Sequence, residues 1–113
     1  MNDMTCKFRL LHTMIRVRNL VKSLDFYTRL LGMKLLRRRE FEDGKFTLAF
    51  VGYRDGGTHR VLELTHNWKQ EEPYRMGDSL GHLAIAVPNA SVVCEALRKE
   101  GALVPRAAGP MKG

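Results

Sequence analysis

Hydrophobic and polar residues alternate with a period of two in several short runs of this chain, and recur at helical spacing in others. Leu10 to Val17, "LLHTMIRV", is a run of the first kind. Leu11, Thr13, Ile15 and Val17 fall on one side, and His12, Met14 and Arg16 on the other. The pattern predicts a strand with one aliphatic face and one face bearing a histidine and an arginine. Asn19 then stands where a helix N-cap is wanted, and Leu20, Leu24, Tyr27 and Leu31 follow at helical spacing. Gly32 supplies a left-handed stop. Three more strand-like runs come next, Lys34 to Phe41, Phe46 to Tyr53 and Arg60 to Thr65, separated by the turn sequences "EDG" and "RDGG". In the last run Val61, Glu63 and Thr65 share one face, and Leu62 and Leu64 the other. The predicted unit is βαβββ.

The unit begins again. Sliding the chain against itself by 70 residues puts His12 on His82, Ile15 on Ile85, Val17 on Val87 and Asn19 on Asn89. "GHLAIAV" (Gly81 to Val87) is then the second copy of the first strand. Asn89 is its helix cap, Val93 and Leu97 lie on the helix's apolar face, and Gly101 is its stop. The second copy is short. A counterpart of Glu63 belongs near position 133, and the sequence ends at Gly113, so the expectation is a second module lacking two strands. The predicted fold class is α+β, built of paired βαβββ modules. The first spans 8–66, a linker 67–79, and the incomplete second 80–113, the whole being one domain of 113 residues.

Composition narrows the function only a little. The chain is 44% hydrophobic and 27% charged, ordinary values for a globular protein, with a net charge of +7. The densest basic run, Arg37-Arg38-Arg39, leads into Glu40 and reads as a solvated strand end. No nucleic-acid-binding signature accompanies it, so no nucleic-acid partner is expected. No run approaches the ~20 apolar residues of a membrane span, and the N-terminus has no leader pattern, so the expectation is a cytoplasmic protein without a membrane partner. Two cysteines, Cys6 and Cys94, make no disulfide framework, and Cys94 reads as a small core residue.

The candidate chemistry lies on the faces opposite the aliphatic ones. A glutamate in a short apolar strand is expensive to bury without a partner. His12 and His82 occupy equivalent places in the two copies, and Glu63 lies in the last strand of the first. Imidazole and carboxylate are ordinary ligands of zinc, nickel or iron, so the three suggest a shared metal. Taken singly, a strand histidine more often satisfies a local contact and a strand glutamate more often faces water. On pattern alone both readings stand.

The stretches "RLLHTMIRV", "SLDFYTRLLGMKLL", "FTLAFVGY", "LELTHNW", "GHLAIAV" and "AGPMKG" together closely resemble glyoxalase I, lactoylglutathione lyase, of the vicinal-oxygen-chelate superfamily. The resemblance runs from about Leu10 to Gly113 and is to the short bacterial and kinetoplastid form. It implies a homodimer with metal sites at the subunit interface. His12 and Glu63 of one subunit and His82 of the other match metal ligands, the metal being nickel, with zinc as the alternative. A fourth ligand, a second glutamate, has no counterpart in this sequence. The implied reaction is isomerisation of the methylglyoxal–glutathione hemithioacetal to S-D-lactoylglutathione through a metal-bound enediolate, with Glu63 moving the proton. By the same resemblance Arg16 holds a carboxylate of glutathione, or of a related thiol such as trypanothione. Asn67 bonds the conjugate's peptide, while His66 departs from a more usual aromatic. Met111 and Lys112 match a loop that closes over substrate, although they also stand at a chain end. Trp68, Phe50 and Met33 could line the apolar pocket, but aromatics and methionines at these spacings are more often plain core. Two other readings remain open: a metal-free, ligand-sequestering module of the same superfamily, and an inactive truncated remnant.

Overall fold

The computed structural model describes residues 4–57, 59–106, 108 and 109. It divides into two compact units, Met1–Arg75 and Met76–Gly113. After a 3₁₀ turn at Thr5–Lys7, the first unit runs β1 (His12–Arg16), α1 (Leu20–Leu24, continued by a π-helical turn, Asp25–Leu30), β2 (Lys34–Phe41), β3 (Phe46–Gly52) and β4 (Val61–Asn67). This is the βαβββ order read from the alternation. The four strands form one sheet in the order β1-β4-β3-β2. β1 lies parallel to β4, and the other two pairs are antiparallel. The last strand of the unit therefore sits beside the first.

The aliphatic face carries the core. Val17, Leu20, Met33, Ala49, Val51 and Leu64 are buried together, with Ile15, Leu24, Tyr27 and Leu62 packed against them. Ala49, Val51 and Leu64 are wholly enclosed. The helix closes this face from one side. Asn19 caps it as expected, its Oδ1 accepting the Lys22 amide at 3.1 Å. The periodicity gave no sign of the π-helical turn, in which the Leu31 amide reaches back to the Phe26 carbonyl at 3.0 Å. Gly32 ends the segment at φ +75°, a conformation that a side chain disfavours. Thr47, the one polar side chain buried in this face among the described residues, accepts a hydrogen bond from Trp68 Nε1 at 2.8 Å.

The opposite face is open. Strand registers place His12, Met14 and Arg16 of β1, Val61, Glu63, Thr65 and Asn67 of β4, Leu48 and Phe50 of β3, and Arg37 and Arg39 of β2 on it. A bulge at Leu36 resets β2, so that Arg37 lies opposite Phe50.

Among its described residues the second unit contains one helix, α2 (Ala90–Lys99), capped by Asn89 Oδ1 on the Val92 amide at 3.2 Å and stopped at Gly101, φ +95°. Cys94 is half-buried on it rather than enclosed. Residues 81–87, expected as a strand, make no ladder among the described residues. In the first unit β1 finds its partner in β4. A run with alternating pattern but no partner has no inter-strand bonds with which to be a strand.

Candidate active site on the open sheet face

His12 opens β1 and Glu63 lies at the middle of β4, one pleat apart across the parallel pair, since Met14 is the residue in register with Glu63. The parallel pairing brings together two side chains that are far apart in sequence. His12 Nε2 stands 3.9 Å from Glu63 Oε2, too far for a hydrogen bond and close enough for an ion pair. The Glu63 side chain keeps only 16% of its exposure, against 39% for His12. His12 is the only ionic partner that the described residues give this half-buried carboxylate. Two donors bonded to one cation at ~2.0–2.2 Å stand on the order of 3–4 Å apart, so the pair has the chemistry and separation of two ligands of a small divalent ion. Among the described residues no three His, Cys, Asp or Glu side chains form a metal cluster.

Around it the face is half apolar. The Phe50 ring meets the His12 ring edge-on, 5.6 Å between centroids at 80°. A cleft of about 520 Å³ is lined by Leu11, His12, Leu36, Arg37, Phe50, Asp55, Gly56 and Val61. Arg16 projects from the same face of β1, is exposed, and has no carboxylate partner among the described residues. Asn67 Nδ2 donates to the Tyr74 hydroxyl at 3.0 Å, so its carbonyl oxygen stays available to another donor. His66 points to the core side instead, its Nδ1 3.3 Å from the Val17 carbonyl. His82 belongs to the second unit, and Met111 and Lys112 lie outside the described residues.

A family model described as the Glyoxalase/Bleomycin resistance protein/Dioxygenase superfamily matches residues 9–113. The chain belongs to that superfamily. A lactoylglutathione lyase of Neisseria meningitidis is 58% identical over 104 residues, 92% of this chain and 75% of that protein. Among solved structures, the trypanothione-dependent glyoxalase I of Leishmania major superposes with a TM-score of 0.79 at 41% identity, over 83% of this chain and 67% of that one. Glyoxalase I of Zea mays superposes with a TM-score of 0.88 at 38% identity, over 92% of this chain and 37% of that one. The sheet with His12 and Glu63 on its open face is thus a glyoxalase-type module.

Two residues of this face were missed by the sequence reading. Phe50 was assigned to the core and Arg37 to a solvated strand end; the structure puts one against His12 and the other over Phe50. The available signal was parity. Phe50 alternates with the enclosed Ala49 and Val51, so it must face the other way.

Proposed function

We infer that this chain carries lactoylglutathione lyase activity, converting the methylglyoxal–glutathione hemithioacetal to S-D-lactoylglutathione. The observation that carries the reading is the His12–Glu63 pair on the open face of a chain 58% identical to such an enzyme. The reaction moves one proton between adjacent carbons and a second between the oxygens they bear, and needs no redox partner.

His12, Glu63 and His82 are the residues we propose to hold a divalent cation, nickel before zinc. A cation bound there supplies positive charge for the negative charge that develops on the substrate's two neighbouring oxygens. Glu63 takes the proton from the carbon that bears sulfur and returns it to the next carbon through a carboxylate oxygen. Half-burial beside Phe50 limits exchange of that proton with water. Arg16 holds a carboxylate of the thiol conjugate through its forked guanidinium, and the Asn67 carbonyl accepts from the conjugate's peptide. We further propose a homodimer in which one protomer gives His12 and Glu63 and its partner gives the second histidine. The compartment we propose is the cytoplasm, where a free thiol such as Cys94 persists; among the described residues no helix is long and apolar enough to cross a membrane.

The test is to load the purified chain with nickel or zinc and follow thioester formation from the hemithioacetal. Turnover that disappears on chelation and returns with metal is expected. A chain that binds S-substituted glutathione tightly yet turns nothing over with either metal would instead be a sequestering module.

A further inference from the structure

The open face carries a second row of chemistry beside the His12–Glu63 pair. Arg37 and Arg39 stand two residues apart on β2 and project to this face. The Arg37 guanidinium carbon lies 4.6 Å from the Phe50 ring centroid, and that of Arg39 5.0 Å from the Phe41 centroid. Phe41 is itself stacked on Phe46, 4.7 Å between centroids. Phe50 touches His12 with its other contact, so Arg37, Phe50 and His12 form an unbroken series of three side chains lining one cleft. Arg38, on the other face, has a carboxylate 3.8 Å away in Glu40. Arg37 has none among the described residues. Stacking occupies one face of its guanidinium and leaves the in-plane N–H groups directed outward.

The order β1-β4-β3-β2 gives this row a direction. Arg16 lies on the strand at one edge of the sheet and Arg37 on the strand at the other, with Glu63 and Phe50 between them. Under the proposed function the reacting carbons lie against His12 and Glu63, and the peptide part of the conjugate is held at Arg16. The remaining end of the substrate, the group contributed by the 2-oxoaldehyde, then runs across Phe50 toward Arg37. The methyl of methylglyoxal is too short to pass the ring. A longer group ending in an anion meets the guanidinium edge.

We propose that Arg37 is a specificity-determining residue which selects thiol conjugates whose S-substituent carries a terminal anion, a carboxylate or a phosphate. The proposal rests on the thiol-conjugate reading of this site. It is tested by titration calorimetry of the metal-loaded chain with two probes, S-benzylglutathione and S-(4-carboxybenzyl)glutathione. The carboxylated probe is expected to bind about five- to tenfold more tightly, the range left to a charge-assisted contact at an exposed site. Arg37→Met is expected to bring the two probes to equal affinity, and Arg37→Lys to keep part of the difference. Equal affinities in the unsubstituted chain, or a preference that survives Arg37→Met, overturn the proposal and leave the proposed function standing. Binding of neither probe overturns both.

Discussion

Glu63 sits between Leu62 and Leu64 in β4, and those neighbours belong to the core. Its own side chain faces the other way, toward His12. Under the proposed function it is the residue on which activity should depend most. Glu63→Gln keeps size and shape but would remove the proposed proton carrier and one proposed anionic ligand. We expect kcat to fall by about 10²-fold or more, as for loss of a general base, with the metal bound more weakly. Steady-state kinetics together with metal content per protomer measure both, and an unchanged kcat would remove Glu63 from catalysis. Arg16 is predicted to act on binding. Arg16→Gln should raise KM about tenfold or more with a smaller change in kcat, the mark of an interaction made equally in ground and transition states.

The helix behind the sheet is held by contacts that can be tested singly. Asn19→Ala removes the cap on the Lys22 amide and is expected to lower stability by about 1 kcal/mol in urea unfolding. Gly32→Ala meets no atom within 4 Å, so any cost comes from the backbone alone, about 1–2 kcal/mol at φ +75°. On the exposed side, Arg29 donates to both oxygens of Asp25, at 2.7 and 3.0 Å. That fork holds the Asp25 carboxyl below its ordinary value. The ionised form is the one favoured in the fold, so this contact contributes above the ordinary carboxylate pKa and is lost as pH falls through the lowered one. An NMR titration should find the Asp25 midpoint depressed, and Arg29→Gln should return it toward the usual range. Much of this element was readable in advance, because caps and stops act within one turn. The π-helical turn was not, since it depends on how Leu24 and Tyr27 seat against the sheet.

For the molecule as a whole, the two units differ in how their apolar faces are satisfied. In the first, β1 is paired, with Ile15 packed on the core and Val17 buried in it; Leu64→Ala there should cost about 2–5 kcal/mol, as for a leucine enclosed on all sides. In the second, Leu83, Ile85 and Val87 keep 48%, 38% and 39% of their exposure. Hydrogen exchange should find the amides of β4 protected and those of residues 81–87 exchanging freely in a monomer. Protection of 81–87 that grows with protein concentration would mean that a second copy pairs with them. The shared-site dimer makes a sharper claim. Under the proposed dimer, Glu63→Gln and His82→Gln chains are each expected to lose most activity by themselves, while a mixed dimer would have one site with all three proposed ligands intact. Random mixing is expected to recover about a quarter of full activity, by the symmetry of a two-fold interface. No recovery on mixing would argue that each protomer builds its site alone.

The linear sequence determined the order of helix and strands in the first unit and the parity of its residues. Alternation separated His12, Arg16 and Glu63 from the aliphatic positions, and the asparagines and glycines marked where helices begin and end, because these effects are local to a few residues. Only the tertiary structure decided which strands are neighbours. Placing β4 beside β1 brings His12 and Glu63 within 3.9 Å, and the bulge in β2 sets Arg37 over Phe50. Strand pairing is a non-local choice, settled by which aliphatic faces bury together against the helix. A residue such as Phe50 therefore reads as core until its enclosed neighbours, Ala49 and Val51, show which way it must face.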